Sequence, residues 1–271
     1  MIDHLSSSQI NLYLQCGLKY KYQYIDHIPK SFTPSALAFG SIFHSTLDWF
    51  HKRMIQGKST TLENLFQIFD VDWYTLRIDA NIRYKPDETE DQLITMGREL
   101  LSRYFQEKHK QIKGCEVPFT VPLYAPDNGH ELGIALEGYF DLIEADGTIV
   151  EFKTSAVTLN MSDIDTRLQL TAYSYAYQIL NRKPPKQIRV VDFVKAKKPK
   201  IISIETSRDQ NDALGFLYTA QEVLRGIQSK VFPPRLGFWC KECEYASICP
   251  LWKHKVAAPQ KEPVYAEANV Q

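Results

Sequence analysis

Apolar residues recur along this chain at two different spacings, and the alternation between them sets out its elements. Leu37, Phe39, Ile42, Phe43 and Leu47 give a helical side over 36–56. A second stripe of Leu93, Ile94, Met96, Leu100, Leu101, Tyr104 and Phe105 predicts a long helix over 87–112, and 60–69 reads as a short one, with Trp73 and Tyr74 packed between them. Ser6, Ser7 and Ser8 offer an N-cap to a first helix ending near Cys16. Further helices are expected over 164–182 and 209–228. Strands are expected over 116–123, 132–144, 187–195 and 201–205. Turn signals separate them at Pro126-Asp127-Asn128-Gly129, Asp146-Gly147 and Lys197-Lys198-Pro199-Lys200. Segment 57–113 reads as a helical insertion that covers one side of a sheet and walls a channel.

After Asp146-Gly147, the β-prone run Thr148, Ile149, Val150 leads into Glu151-Phe152-Lys153. Residues two apart on a strand share a face, so Glu151 and Lys153 point one way and Phe152 points into the core. The loop length decides whether Asp141, on the partner strand, joins them. A two-residue turn sends it to the opposite face. A three-residue loop, Ala145-Asp146-Gly147 with Gly147 at positive φ, sets Asp141 across from Glu151, and this is the register expected. Two carboxylates so placed suit Mg²⁺ or Mn²⁺ with several retained waters, and Lys153 would orient such a water or offset charge in a transition state. Alone, an Asp followed by Glu-x-Lys occurs often by chance, and an exposed, solvated hairpin is then the better reading.

Composition narrows the setting. With 271 residues, 44% of them hydrophobic, and a net charge of zero, the chain is globular, and any basic groove must be local. No apolar run approaches a membrane span and no signal peptide is evident, so a cytoplasmic location is expected. Five cysteines in such a chain suit metal binding better than disulfides. Cys240-x-x-Cys243-x5-Cys249-Pro250 is a tight trio needing one more ligand, from Cys16 or Cys115. Spacing alone does not separate zinc from a [4Fe-4S] cluster.

Gly138-x-x-Asp141, Glu151-Phe152-Lys153-Thr154 and Gln169-Leu-Thr-Ala-Tyr173 together resemble the RecB-type branch of the PD-(D/E)XK nucleases. Leu5-Ser-Ser-Ser-Gln9-Ile10-x-x-Tyr13-x-x-Cys16 and the C-terminal cysteines resemble that branch's iron–sulfur subgroup, which includes the AddB nuclease domain and the CRISPR-associated RecB-like exonucleases. The resemblance runs from Leu5 to about Trp252 with a gap in the middle, and no proline precedes Asp141.

The resemblance implies an α/β, restriction-endonuclease-like fold: a mixed central sheet flanked by helices, with a nuclease domain over 1–254 and an iron–sulfur segment over 236–252. It implies hydrolysis of phosphodiester bonds in DNA, single-stranded or at ends, as an exonuclease, with a helicase or a CRISPR-adaptation complex as partner. Asp141 and Glu151 would hold the metal with the Phe152 carbonyl, and His44 of the helical Gly40-x-x-x-His44 would complete the set. Lys153 would position water, and Gln169 and Tyr173 would support the site. Cys16 would join Cys240, Cys243 and Cys249 around a [4Fe-4S] cluster, as a structural clasp, leaving Cys115 as a spare buried thiol. The rival expectation is a non-catalytic iron–sulfur DNA-binding module, and a third is a zinc-bound structural protein.

The basic residues between Arg182 and Lys200, notably Lys195, Lys197 and Lys198, are the best local edge for phosphate, with a solvated hairpin tip as the plain alternative. Arg167 is placed to reach a phosphate. Lys19-Tyr20-Lys21-Tyr22-Gln23-Tyr24 either lines a nucleic-acid strand or packs its tyrosines on the core. The segment 255–271 is expected to be a disordered tail.

Overall fold

A computed structural model describes residues 2–252; the expected tail lies outside the described residues. In chain order the elements are β1 (His4–Leu5), α1 (Ser7–Gln15), α2 (Gly17–Tyr20), a π-helical turn (Lys21–Ile25), β2 (Thr33–Pro34), α3 (Ser35–Ile55), α4 (Leu62–Asp79), β3 (Ile82–Arg83) and α5 (Glu90–Phe105). There follow β4 (Ile112–Tyr124), β5 (Glu131–Glu144), β6 (Ile149–Ser155), α6 (Met161–Asp165), α7 (Leu168–Asn181), β7 (Ile188–Val194), β8 (Lys200–Thr206), α8 (Gln210–Gln228) and a 3-10 turn (Phe238–Glu242).

Six strands form one mixed sheet. Strand β5 pairs antiparallel with β4 and β6 and parallel with β1; β6 pairs parallel with β7, and β7 antiparallel with β8. Helices cover both faces. One core joins Ile10, Tyr173, Ala176 and Phe216 of α1, α7 and α8 to Phe140, Ile149 and Val190 of the sheet. The other joins Phe39, Phe43, Phe69, Trp73 and Leu100 of α3, α4 and α5 to Leu142, Val150, Phe152 and Phe193. Strands buried on both faces need apolar residues at nearly every position, which is why the β6 and β7 runs read as continuous rather than alternating.

Local rules account for the helix starts. Ser6 accepts from the Gln9 amide, and Thr61/Asn64, Thr89/Gln92 and Asp209/Asp212 form reciprocal capping boxes. Several boundaries differ from expectation. Helix α4 continues past residue 69 to Asp79, so Trp73 lies within it, buried, while Tyr74 on the same helix is exposed. Helix α5 stops at Phe105, and Ile112 already belongs to β4. Residues 106–111 carry no apolar side chain to continue the stripe. The helix expected over 164–182 is broken at Thr166, whose hydroxyl donates to the Ser162 carbonyl, while Arg208 takes the Ile164 carbonyl. Tyr20 is buried and donates to Gln9, so that ring belongs to the core.

Among the described residues no helix is long and apolar enough to cross a membrane.

Candidate active site

The loop after β5 has three residues: the Glu144 amide bonds the Thr148 carbonyl, and Gly147 closes it at φ 87°. Only glycine takes that angle freely. With Leu142 paired to Val150 and Ile143 to Ile149, the next opposed positions are Asp141 and Glu151. On the other edge of β5, Cys115 pairs with Leu142 and Val117 with Phe140, which sets Glu116 opposite Asp141 as well. Three carboxylates thus lie in a row across three strands.

The facing of the strands changes at this row. In β5, Ile134, Leu136 and Phe140 serve the α7 core, but Leu142 serves the α3 core; in β4, Phe119 and Val121 serve the α7 core, while Cys115 packs on the α3 side. The side-chain alternation therefore flips at Glu116 and Asp141. Glu116 adopts φ 45°, a left-handed conformation that costs a non-glycine residue on the order of 1–3 kcal/mol. At the flip, Asp141 lies at a seam reached by both helical layers.

From the α3 side comes His44, its Nδ1 3.7 Å from Asp141 Oδ2. Burial pushes its pKa down, so the ring is held neutral and ready to donate a lone pair. Gly40, one turn earlier, lies against Thr154, where a Cβ would fall 3.4 Å from the hydroxyl. From the α7 side comes a relay: Lys153 Nζ ion-pairs with Glu151 and donates to Gln169 Oε1 at 2.7 Å, and Gln169 Nε2 donates to Tyr173 OH at 2.9 Å. The α7 pair shares a helix face because its members are four apart. The Phe152 amide donates to Asp141 Oδ2 at 2.8 Å, and its ring fills the α3 core.

Asp141 and Glu151 are 9% and 1% exposed. Burial first, and then the Glu151 charge, raise the Asp141 pKa well above the ordinary carboxylate range; the same two causes raise Tyr173. The folded protein therefore holds the Asp141 proton more tightly than the unfolded chain does. In metal-free protein this contribution to stability is present at low pH and is lost as pH rises through the raised value. Asp141→Asn is expected to flatten that loss, so that its urea midpoint gains on the parent's by more at pH 8 than at pH 4. Equal midpoint shifts at both pH values would contradict it.

Among the described residues, the trio whose ligand atoms lie within 4.8 Å of one another is His44, Glu116 and Asp141. Glu116 did not stand out in the sequence.

The other expected residues are placed as follows. Lys195 lies over the Phe39 ring, 4.4 Å from its centre, and lines a cleft with Lys85, Thr154 and Lys197 that also carries Asp87, Glu88 and Asp91. Lys197 and Lys198 are exposed at the β7–β8 turn. Arg167 caps α7 and has a buried Nε without a hydrogen-bond partner.

At the far end of α1, Cys16, Cys240, Cys243 and Cys249 line one small cavity with Tyr22, Trp239 and Leu251. Lys19–Glu244 at 2.5 Å, Tyr13 OH to the Val231 carbonyl at 2.5 Å and Tyr245 OH to the Ile28 carbonyl at 3.0 Å tie the segments together. Gly17 is required by close approach, since a Cβ there would lie 2.8 Å from Pro233 Cδ. Cys115 lies apart, its Sγ 3.9 Å from the Asp48 carbonyl and its pKa pushed up by burial to about 12.

No curated protein matches the chain in sequence. Among solved structures, it superposes on a protein of Eubacterium rectale named "Putative exonuclease", with a TM-score of 0.57, 14% identity, and coverage of 97% of this chain and 91% of that one. A structure named SSO0001 follows with a TM-score of 0.46 and 12% identity over 93% and 88%. The family model described as the PD-(D/E)XK nuclease superfamily matches residues 4–250, a span that takes in every strand of the six-stranded sheet and all the carboxylates of the seam. The chain, with its Asp on one strand and its Glu-x-Lys on the next, belongs to the PD-(D/E)XK nuclease superfamily.

Proposed function

We propose that the protein is a divalent-metal-dependent DNA nuclease of the RecB-like, iron–sulfur branch, acting on single strands or ends. The observation that carries this is the seam itself: Asp141, Glu151 and Lys153 are brought together by one hairpin, with His44 arriving from α3. Their donor set, an imidazole nitrogen held neutral and buried carboxylate oxygens, fits Mg²⁺ or Mn²⁺. His44, Asp141, Glu151 and the Phe152 carbonyl would hold the ion. Bound there, it would lower the pKa of a water and neutralise charge on the phosphate.

The chain's own side chains do the positioning. Lys153 is fixed between Glu151 and Gln169, so its ammonium is held in place for an attacking water or a developing phosphorane charge. Tyr173 locks Gln169 and thereby Lys153. A strand passing the cleft beside Thr154 would meet Lys85, Lys195 and Lys197 there, alongside the acidic Asp87, Glu88, Asp91 and Glu99, and Arg167 at the start of α7 would offer a further unpartnered donor.

At the other end of α1, four thiols around one apolar cavity fit a [4Fe-4S] cluster, whose ligands are cysteine thiolates. The cluster would join the first helices to the last described segment.

The test is incubation of anaerobically purified protein with end-labelled single- and double-stranded DNA, with and without Mn²⁺. Mn²⁺-dependent shortening of single strands, or of duplex ends, is the expected result. Binding without cleavage under every condition would favour a DNA-binding module instead.

A further inference from the structure

We propose that Glu116 is a further ligand of the divalent cation at the seam; this rests on the metal-site assignment above. Three observations lead there. Glu116 is opposed to Asp141 across β4 and β5, and its carboxylate joins His44 and Asp141 in the trio of ligand atoms within 4.8 Å. It holds a left-handed backbone in the middle of a 13-residue strand, and the facing of β4 changes there. And among the described residues no hydrogen bond or ion pair engages its carboxylate, whereas neighbouring Asp48 is bonded by Lys52 at 2.6 Å.

The neighbouring carboxylates are already engaged: Glu151 pairs with Lys153 and Asp141 accepts from the Phe152 amide, while the half-buried Glu116 makes neither kind of contact among the described residues. Glu116 supplies the ligand on the β4 side of Asp141, opposite the Glu151 side, so that the ion is gripped from three adjacent strands.

The measurement is Mn²⁺ affinity of metal-free protein, by titration calorimetry and by the electron paramagnetic resonance signal of free Mn²⁺. Glu116→Gln keeps the shape and removes the charge. It is expected to weaken Mn²⁺ binding by ~10-fold or more, and to shrink the rise in melting temperature that saturating Mn²⁺ gives. Glu116→Asn, which tolerates the left-handed backbone, is a second variant with the same expected loss. Asp141→Ala separates the Glu116 assignment from the site as a whole. If Asp141→Ala abolishes binding while both Glu116 variants bind like the parent, the role given to Glu116 is wrong and the site stands. If Asp141→Ala itself binds Mn²⁺ like the parent, the site is wrong and Glu116 falls with it.

Discussion

Asp141→Ala is expected to remove DNA cleavage almost completely, and Lys153→Ala to reduce it by ~10²–10³-fold. Asp141 occupies the middle of the carboxylate row: it faces Glu151 on one strand and Glu116 on the other, and its Oδ2 lies 3.7 Å from His44. Removing it takes away the ligand common to every proposed contact with the ion. Since each ~1.4 kcal/mol of lost transition-state stabilisation is tenfold in rate, and a metal supplies several kcal/mol at a phosphoryl centre, a loss of ~10³-fold or more is the scale to look for. Lys153 differs, because the ion would still bind without it. Its loss should appear in kcat with Mn²⁺ affinity nearly retained, whereas Asp141→Ala should lose both. Cleavage of end-labelled single-stranded DNA by each variant, beside Mn²⁺ titration, checks the split. If both variants cut like the parent, the hairpin is not the active site.

The hairpin was legible because its determinants are local. A glycine at the third loop position, a β-prone run and a two-residue alternation are enough to set Asp141 against Glu151, and the observed Gly147 angle and the Leu142–Val150 pairing are those the sequence suggests. Gln169 and Tyr173 come from the resemblance; their four-residue spacing puts them on one helix face, and the hydrogen bond between them is seen only in the structure. Glu116 was not legible, and the reason is register. Tyr124 pairs with Glu131 at the turn, but Pro122 already pairs with Ala135, so β4 slips against β5 inside the hairpin. Counting back from the Pro126-to-Gly129 turn without that irregularity sets Glu116 against Tyr139, two residues from the seam. A bulge leaves little trace in composition, and a left-handed glutamate leaves none. The facing flip at Asp141 had a faint sign in the imperfect alternation of 132–144, but only the two helical layers reveal what it does. It brings α3 and α7 chemistry to one carboxylate.

The insertion followed a different logic. Its amphipathic stripes were visible, but its boundaries were decided by packing. Phe69 sits against Gly97, where a Cβ would come within 2.3 Å of the ring, so α4 and α5 cross where glycine lets them approach. Helix α4 then runs on through Trp73, whose ring meets Phe39 and Phe69. These contacts hold α3, and with it His44, against the sheet, so the insertion acts on the site by fixing the helix that carries the imidazole.

Cys16→Ser should have the second large effect, on stability and on colour. Cys16 stands at the junction of α1 and α2, and the other three thiols at its cavity come from residues 240–249, so a bound cluster closes a loop over most of the chain. Cross-links over loops of this size restrict the unfolded chain by ~5 kcal/mol. For a domain of this length that corresponds to a fall in melting temperature of about 10–20 °C. The hydrogen bonds from Tyr13 and Tyr245 and the Lys19–Glu244 pair persist in the variant, so it should fold at low temperature and unfold early on heating. The anaerobically purified parent should show the broad visible absorption of sulfur-to-iron charge transfer, and Cys16→Ser should lose most of it. Cys115→Ser is the matched control: its thiol is held protonated at the α3 face, away from the cavity, and its substitution should leave the absorption intact. A colourless parent with stoichiometric zinc would replace the cluster by a zinc clasp with the same mechanical role. A Cys16→Ser protein with full colour and parental melting would remove Cys16 from the ligand set, because a cluster held elsewhere could not tie α1 to the last cysteines.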